Sequence, residues 1–297
     1  FLMRRSIAMP LKRLIHEMQT VEVLSDTPLP EGLMRTNNHV EDEVGTLYNT
    51  FFFFFQTVRA YDSEQKRFFQ NSSHELKTPL MSIQGYAEAI RDGVIEGKEM
   101  EEGLDIIIDK SVQLKKTVDA IVYLSRMETG SLPNQPEQLN LREVTDGLLK
   151  TYRQAFEKQG KGLEWACTAL TPLCIMDGND YQRLLEVLLD NAGRYAKRKV
   201  YLTLSEYKEE RKSTQSTSSL YIKLTVSDDG EGIAPKDMPH LFERFYIGKG
   251  GKSGLGLAIA KAVVEKYQGR IGCLEGEGSG ATFEVLLPMV TSTGKQR

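Results

Sequence analysis

The stretch SSHELKTPL, residues 72–80, places His74 and Glu75 side by side, with Thr78 and Pro79 each four positions on from one of them. The apolar pattern around it is helical. Leu47, Phe51, Phe54, Val58, Tyr61, Gln65, Phe68 and Ser72 advance by alternating steps of four and three, as along a coiled-coil seam. Leu76, Leu80, Ile83, Ala87, Ile90 and Val94 form a second series. The spacing predicts one helix over 41–92, so Pro79 falls in a helix interior, where it removes a backbone hydrogen bond at a cost of about 3 kcal/mol. At 68, 72 and 76 two steps of four follow one another, a stutter that locally unwinds a supercoil. His74 lies between the seam positions 72 and 76 and is expected to point outward beside that irregularity.

The run FFFFF, 51–55, tests the same register. A helix turns about 100° per residue, so five consecutive phenylalanines cannot share one face. The seam takes Phe51 and Phe54, with Phe55 beside it, and leaves Phe52 and Phe53 on the outer face. Downstream, RDGVIEGK (91–98) carries turn signals. Leu104, Ile107, Ser111, Leu114, Val118, Ile121 and Leu124 then form another stripe. Two helices joined by so short a loop pack antiparallel. One hairpin with a single stripe per helix cannot close a core, and a four-helix homodimer is the economical solution.

TGSLPNQPEQLN (129–140) is rich in proline and polar residues and reads as a linker. Beyond it the pattern becomes α/β, with strands near 162–167, 173–176, 199–205, 220–227, 270–275 and 281–287 and helices near 141–159, 179–195 and 253–268. KEERKSTQSTSS (208–219) reads as a polar hairpin tip. The 297 residues carry 40% apolar and 27% charged side chains, enough for two or three modest units. A net charge of −3 argues against a nucleic-acid role, which calls for a basic stripe. Cys167, Cys174 and Cys273 show no ligand spacing and read as reduced thiols. His16, His39 and His240 have no motif around them and read as solvated or capping residues. No run approaches the ~18 apolar residues of a membrane span. The opening FLMRRS reads as the end of a membrane helix with its cytoplasmic arginines, or as a truncated soluble chain.

Two glycine-rich loops carry chemistry. SDDGEGI (227–233) follows a strand, and KGGKSGLGLAIA (249–260) leads into a helix whose free N–H groups and dipole suit phosphate. GKS at 251–253 is not a Walker loop, because that pattern needs glycine where Tyr246 stands. Together with YQRLLEVLLDNAGRYA (181–196), LFERFY (241–246) and GEGSGATFEVLLP (276–288), these stretches resemble the N, G1, F, G2 and G3 boxes of the sensor histidine kinases. SSHELKTPL resembles their H box. PLKRL (10–14) and EDEVGTLYNTF (41–51) resemble the two ends of a HAMP signalling module.

The resemblance implies a multidomain chain. Residues 1–60 form a HAMP-like module and 61–130 an all-α hairpin that dimerises as a four-helix bundle and carries the phosphotransfer histidine. A linker at 131–140 leads to a catalytic ATP-binding domain at 141–290, an α/β two-layer sandwich of the gyrase B and histidine kinase type, and to a tail at 291–297. The catalytic residues implied are His74 as phosphoryl acceptor, Glu75 orienting the ring or taking its proton, and Thr78 holding a water for dephosphorylation. Asp228 would receive the adenine amino group, and Asn191 would hold Mg²⁺ against the phosphates of ATP. Arg194 stands where the family has lysine, followed by Tyr195. Gly230, Gly232, Gly254, Leu255, Gly256, Leu257 and Thr282 complete the nucleotide loops, and Arg244, Lys249 and Lys252 are the cations available to a lid at 234–253.

Three departures stand out. Val187 replaces the first asparagine of the N box, Ile247 an arginine after FERFY, and Lys252 the first glycine of GxGLGL. The implied protein is the cytoplasmic portion of an inner-membrane sensor kinase, anchored through segments absent from this chain. It is a homodimer that phosphorylates His74 and passes the group to an aspartate of a response regulator, with possible dephosphorylation of that regulator. The rivals are a phosphatase-dominant or catalytically weak relay, a nucleotide-binding scaffold, and a chaperone or mismatch-repair ATPase of the same fold.

Overall fold

The structure is a computed structural model and describes residues 43–131, 135–209, 219–248, 250–251, 253–274 and 280–290. The expectations on PLKRL, His16, His39, Lys249, Lys252, most of the 208–219 hairpin tip and the 291–297 tail fall outside these residues. The chain divides into two compact units at His74 and Glu75.

Helix α1, Glu43–Arg91, contains Pro79 in its interior, as the periodicity predicts. Upstream of His74 the phenylalanine run departs from the seam reading. Phe55 is 2% exposed, whereas Phe54 is 61% exposed. Phe51 and Phe55 sit one turn apart with ring centroids 6.1 Å from each other, and the Arg59 guanidinium lies 5.0 Å from the Phe55 centroid. Phe54 instead shares a heptad-spaced exposed row with Leu47 and Tyr61. The apolar arc of this helix is therefore wider than one seam. One edge is covered within the chain, and the other is left open on a single copy.

In the second unit, α1 ends in a turn closed by Asp92 N–H to Glu88 O and Val94 N–H to Ala89 O, both 2.9 Å. Helix α2, Gly97–Glu128, then returns. Gly103 permits the close approach. A Cβ there would stand 3.0 Å from Ile95 Cδ1 and 3.3 Å from Tyr86 Cδ1. Leu104, Ile108, Val112, Val118 and Val122 remain exposed on one copy, the uncovered face that a four-helix dimer requires.

The α/β part runs β1 (Glu137–Asn140), α3 (Leu141–Lys158), β2 (Gly162–Cys167), β3 (Leu173–Met176), α4 (Gly178–Tyr195), β4 (Lys199–Glu209) and β5 (Ser219–Asp228). A 3₁₀ turn at Met238–His240, α5 (Gly256–Lys266), β6 (Arg270–Leu274) and β7 (Thr282–Pro288) complete it. The main sheet has the order β2-β4-β5-β7-β6, with β2 and β4 parallel and the other pairs antiparallel. Strand alternation buries one face. Val200, Leu202 and Leu204 on β4, Ile222, Leu224 and Val226 on β5, and Phe283, Val285 and Leu287 on β7 all lie inward. The inward faces of α4 and α5 complete this core, giving the expected two layers.

Local chemistry starts the helices where the sequence places them. The Asn140 side chain accepts from Arg142 N–H at 3.1 Å, and Asp177 accepts from Asn179 N–H at 2.9 Å, each satisfying an orphan donor of the first turn. The linker is shorter than 131–140, because its last four residues are β1, which pairs antiparallel with β3 in register Leu139↔Cys174. Cys174 is buried, and burial pushes its thiol up to about 12.

Truncating a buried phenylalanine costs about 3–5 kcal/mol. Phe55→Ala should therefore lower the thermal midpoint strongly. Phe54→Ala should leave that midpoint nearly unchanged at high protein concentration while promoting dimer dissociation in sedimentation equilibrium. Equal losses of stability from the two substitutions would contradict the two-edged reading of α1.

Candidate active site

The period of two along β5 sets Asp228 on the same buried face as Ile222, Leu224 and Val226. It is 7% exposed. Its Oδ1 accepts from Gly230 N–H at 2.8 Å and from Ala281 N–H at 3.4 Å. Burial raises its pKa, and these two N–H groups only partly offset the effect. No described residue donates to Oδ2. Asp228 thus presents a carboxylate oxygen whose acceptor capacity no described residue uses, in a largely dry setting where a ligand N–H is a fitting partner.

The glycines around it are there because backbones touch. A Cβ on Gly230 would stand 2.5 Å from the Tyr195 carbonyl oxygen, and one on Gly280, at φ +118°, would stand 1.9 Å from the Asp228 carbonyl oxygen. Thr282 begins β7 opposite Ser227, with the two hydroxyls 2.9 Å apart. Asp229, unremarked in the sequence reading, accepts from the backbone N–H groups of Lys197, Arg198 and Lys199 at 2.8–3.1 Å. Those bonds hold its carboxyl below the usual range and fix the segment that leaves α4.

Val187, Asn191 and Tyr195 recur every four residues and share one face of α4. That face adjoins three loops. A Cβ at Gly256 would meet Val187 Cγ1 at 3.4 Å, one at Gly250 would meet the Tyr195 ring at 3.6 Å, and Gly230 lies against the Tyr195 carbonyl. Asn191 is half-buried and Arg194, on the same last turn, is exposed. Helix α5 begins at Gly256 behind a buried Leu255, and among the described residues no side chain caps its first turn. Leu257 is half-buried in that first turn. The base of the 234–253 segment is pinned, since Phe245, itself at φ +62°, donates its N–H to the Gly254 carbonyl at 2.9 Å. Gly254, at φ +64°, has no room for a Cβ beside Phe245.

The structure therefore brings Asn191, Tyr195, Asp228, Gly230, Gly232, Gly256 and Thr282 around one end of α4 and α5. Arg244 is turned to α2, where it pairs with Glu128. Of the departures, Val187 makes an apolar contact at the head of α5, and Ile247 is exposed. His240 is surface-lying, with Nδ1 2.8 Å from Glu243 Oε1. On α1, His74 and Thr78 are exposed, Pro79 is buried, and half-buried Glu75 has its carboxyl pKa raised by burial.

A second polar cluster was invisible in the sequence. Asp180, 6% exposed in the first turn of α4, accepts from the Tyr123 hydroxyl of α2 at 2.6 Å and from Lys266 Nζ and the Tyr267 hydroxyl at 2.7 Å each. Burial alone would raise its pKa, but these three donors outweigh burial and hold it below the usual carboxylate range. The Arg183 guanidinium lies 4.1 Å from the Tyr123 ring centroid. Hydrogen bonds to a charged group are worth about 1.5–3 kcal/mol each. Asp180 alone reads as an ordinary acidic residue in a first helical turn, and its partners lie far off in the chain.

Comparison with known proteins assigns both parts. Residues 64–130 match the His Kinase A (phospho-acceptor) domain, and residues 176–291 match the histidine kinase-, DNA gyrase B-, and HSP90-like ATPase domain. The Sensor protein SrrB of Staphylococcus aureus (strain MRSA252) is 34% identical over 238 residues, 76% of this chain and 38% of that protein. The chain thus spans well under half the length of the curated relatives it matches. Among solved structures, the Acinetobacter baumannii histidine kinase AdeS is similar with a TM-score of 0.57 and 27% identity, covering 73% of this chain and 98% of that one. Full-length ShkA in complex with AMPPNP shares the fold at a TM-score of 0.53 and 19% identity, over 77% of this chain and 47% of that one. The helical hairpin and the α/β layer thus match the phospho-acceptor and ATPase domains of one family, and the chain belongs to the sensor histidine kinases.

Proposed function

We propose that this chain binds ATP in the Asp228 pocket, phosphorylates His74 within a homodimer, and passes the phosphoryl group to an aspartate of a response regulator. The observation that carries the proposal is the buried Asp228 carboxylate with an unengaged oxygen, set among glycines at the head of α5. An adenine amino group supplies the N–H that this oxygen lacks. The phosphates then lie along the Asn191–Tyr195 face of α4 and the uncapped N–H groups of α5, whose dipole favours negative charge. Arg194, Arg244, Lys249 and Lys252 supply cations. AMPPNP bound to the similar fold of ShkA supports this reading.

Among the described residues no three His, Cys, Asp or Glu side chains gather as a metal site. Mg²⁺ carried with ATP needs only one or two protein oxygens beside the phosphates and water, and the Asn191 carboxamide is a fitting ligand. The ion would neutralise charge developing on the phosphates. His74 attacks the γ-phosphorus through a neutral ring nitrogen. An N–P bond forms, the bond to the β-phosphate oxygen breaks, and ADP leaves. Glu75 orients the imidazole or receives its proton, and its burial-raised pKa suits that task. Thr78, four residues on from His74, holds the water that later releases phosphate from the regulator. Residues 1–60 serve as a HAMP-like signal input. Anchorage in the cell membrane through segments outside this chain belongs to the same proposal; no helix among the described residues is long and apolar enough to cross a membrane.

A second reading, a slow kinase that acts mainly as a phosphatase, is favoured by one observation. Val187 puts a methyl group against Gly256, where the family has an asparagine.

Two experiments follow. With γ-labelled ATP, the wild-type chain should acquire acid-labile, base-stable label. His74→Gln should acquire none while its nucleotide affinity stays within about twofold of wild type, well under the 1.4 kcal/mol of a tenfold change. Label persisting in that variant would place the acceptor elsewhere. Val187→Asn should raise the labelling rate roughly tenfold, the return of about one hydrogen bond at the reacting phosphates. An unchanged rate in a stably folded variant would remove the support for the slow-kinase reading.

A further inference from the structure

Two polar contacts fasten the ATPase domain to the last turns of α2. The Tyr123 hydroxyl reaches Asp180, which also collects Lys266 and Tyr267 from the far end of α5. Five residues further along α2, Glu128 pairs with Arg244. The two contacts differ in what they engage. Asp180 and Lys266 lie at the ends of α4 and α5 opposite those that face the nucleotide loops, so the Tyr123 contact can hold the domain without touching the pocket. Arg244 lies one residue before Phe245, whose N–H pins the base of the 234–253 segment to Gly254. It is thus a cation of the nucleotide side that is committed to the hairpin.

A guanidinium presents one planar fork of donors, which a carboxylate or a phosphate fills in the same way. Glu128 therefore occupies Arg244 with the same chemistry that a phosphate would use. The contact is partly shielded, with about a quarter of each side chain exposed, so solvent screening does not reduce it to a surface pair.

We infer that Glu128 competes with the nucleotide phosphates for Arg244, so that the docked arrangement held by Tyr123 and Asp180 is a restrained state of the kinase and ATP binding loosens it. Any factor that shifts α2, including a signal carried along the hairpin, then changes nucleotide affinity. By reciprocity nucleotide weakens docking by the same factor. The inference rests on the proposed role of Arg244 toward phosphate, and the test separates the two.

Equilibrium binding of a non-hydrolysable ATP analogue is measured on the full chain. Arg244→Ala should weaken binding. Glu128→Gln, which keeps volume and removes charge, should tighten it roughly 5-fold or more, at the lower end of typical couplings between sites. Tyr123→Phe should act in the same direction, and both variants should speed labelling of His74. In an Arg244→Ala background Glu128→Gln should add nothing. If Arg244→Ala weakens binding but Glu128→Gln leaves it unchanged or weaker, the competition is overturned and the phosphate role of Arg244 stands. If Arg244→Ala binds like wild type, both fall. A single cooperative thermal transition in each variant shows that it is folded, with a midpoint lowered only by the loss of the contact removed.

Discussion

A carboxylate buried at the end of β5 is the constraint on which the glycine loops around it depend. Asp228 sits where the sheet alternation demands an apolar residue, and its desolvation has to be offset by fixed donors. Gly230 and Ala281 supply two of them. Supplying them forces the 228–232 and 280–282 backbones into contact, and only glycine tolerates positions 230 and 280. The same crowding presses the carbonyl of Tyr195 against Gly230 and so sets where α4 ends, while Asp229 anchors the next three residues. One buried acid thereby fixes the relative placement of the 228–232 and 280–282 loops, the end of α4 and the start of β4. The unengaged oxygen that remains is the feature a nucleotide can use.

Helices α4 and α5 connect this pocket to a second acidic centre. Their nucleotide ends meet through Val187 and Gly256, and their other ends meet through Asp180, Lys266 and Tyr267. A rigid pair with the Asp228 loops at one end and an α2 contact at the other is suited to carry a change at α2 to those loops. No bend within either helix is required. The exposed apolar rows on α1 and α2 are consistent with a hairpin whose uncovered face meets a second copy.

How much of this was legible in the sequence depended on how local the cause was. The helical hairpin, its turn, the order of strands and helices and the glycine loops follow from periodicity and from backbone freedom, which act over a few residues. Asp228 was singled out through the resemblance of SDDGEGI to the family's G1 box, and its burial beside Ile222, Leu224 and Val226 is a finding of the structure. Strand β1 was not legible. Glu137–Asn140 holds only Leu139 as an apolar residue, and its extended form comes from pairing with β3 across the intervening helix. The choice between Phe54 and Phe55 was equally hidden, because two neighbouring positions on a wide apolar arc look alike until something covers one of them. Tyr123 and Asp180 stand 57 residues apart, and Glu128 and Arg244 further still, so neither pair has a local signature.

The central claim is that the unengaged oxygen of Asp228 reads the amino group of adenine. Competitive binding of ATP and purine riboside triphosphate to the full chain tests it most directly, because purine riboside carries only hydrogen where adenosine carries that amino group and keeps the ring nitrogens as acceptors. A carboxylate that loses a charged hydrogen bond should favour ATP by about 1.5–3 kcal/mol, roughly 10- to 150-fold. Equal affinity for the two nucleotides would show that the pocket does not recognise the base through Asp228.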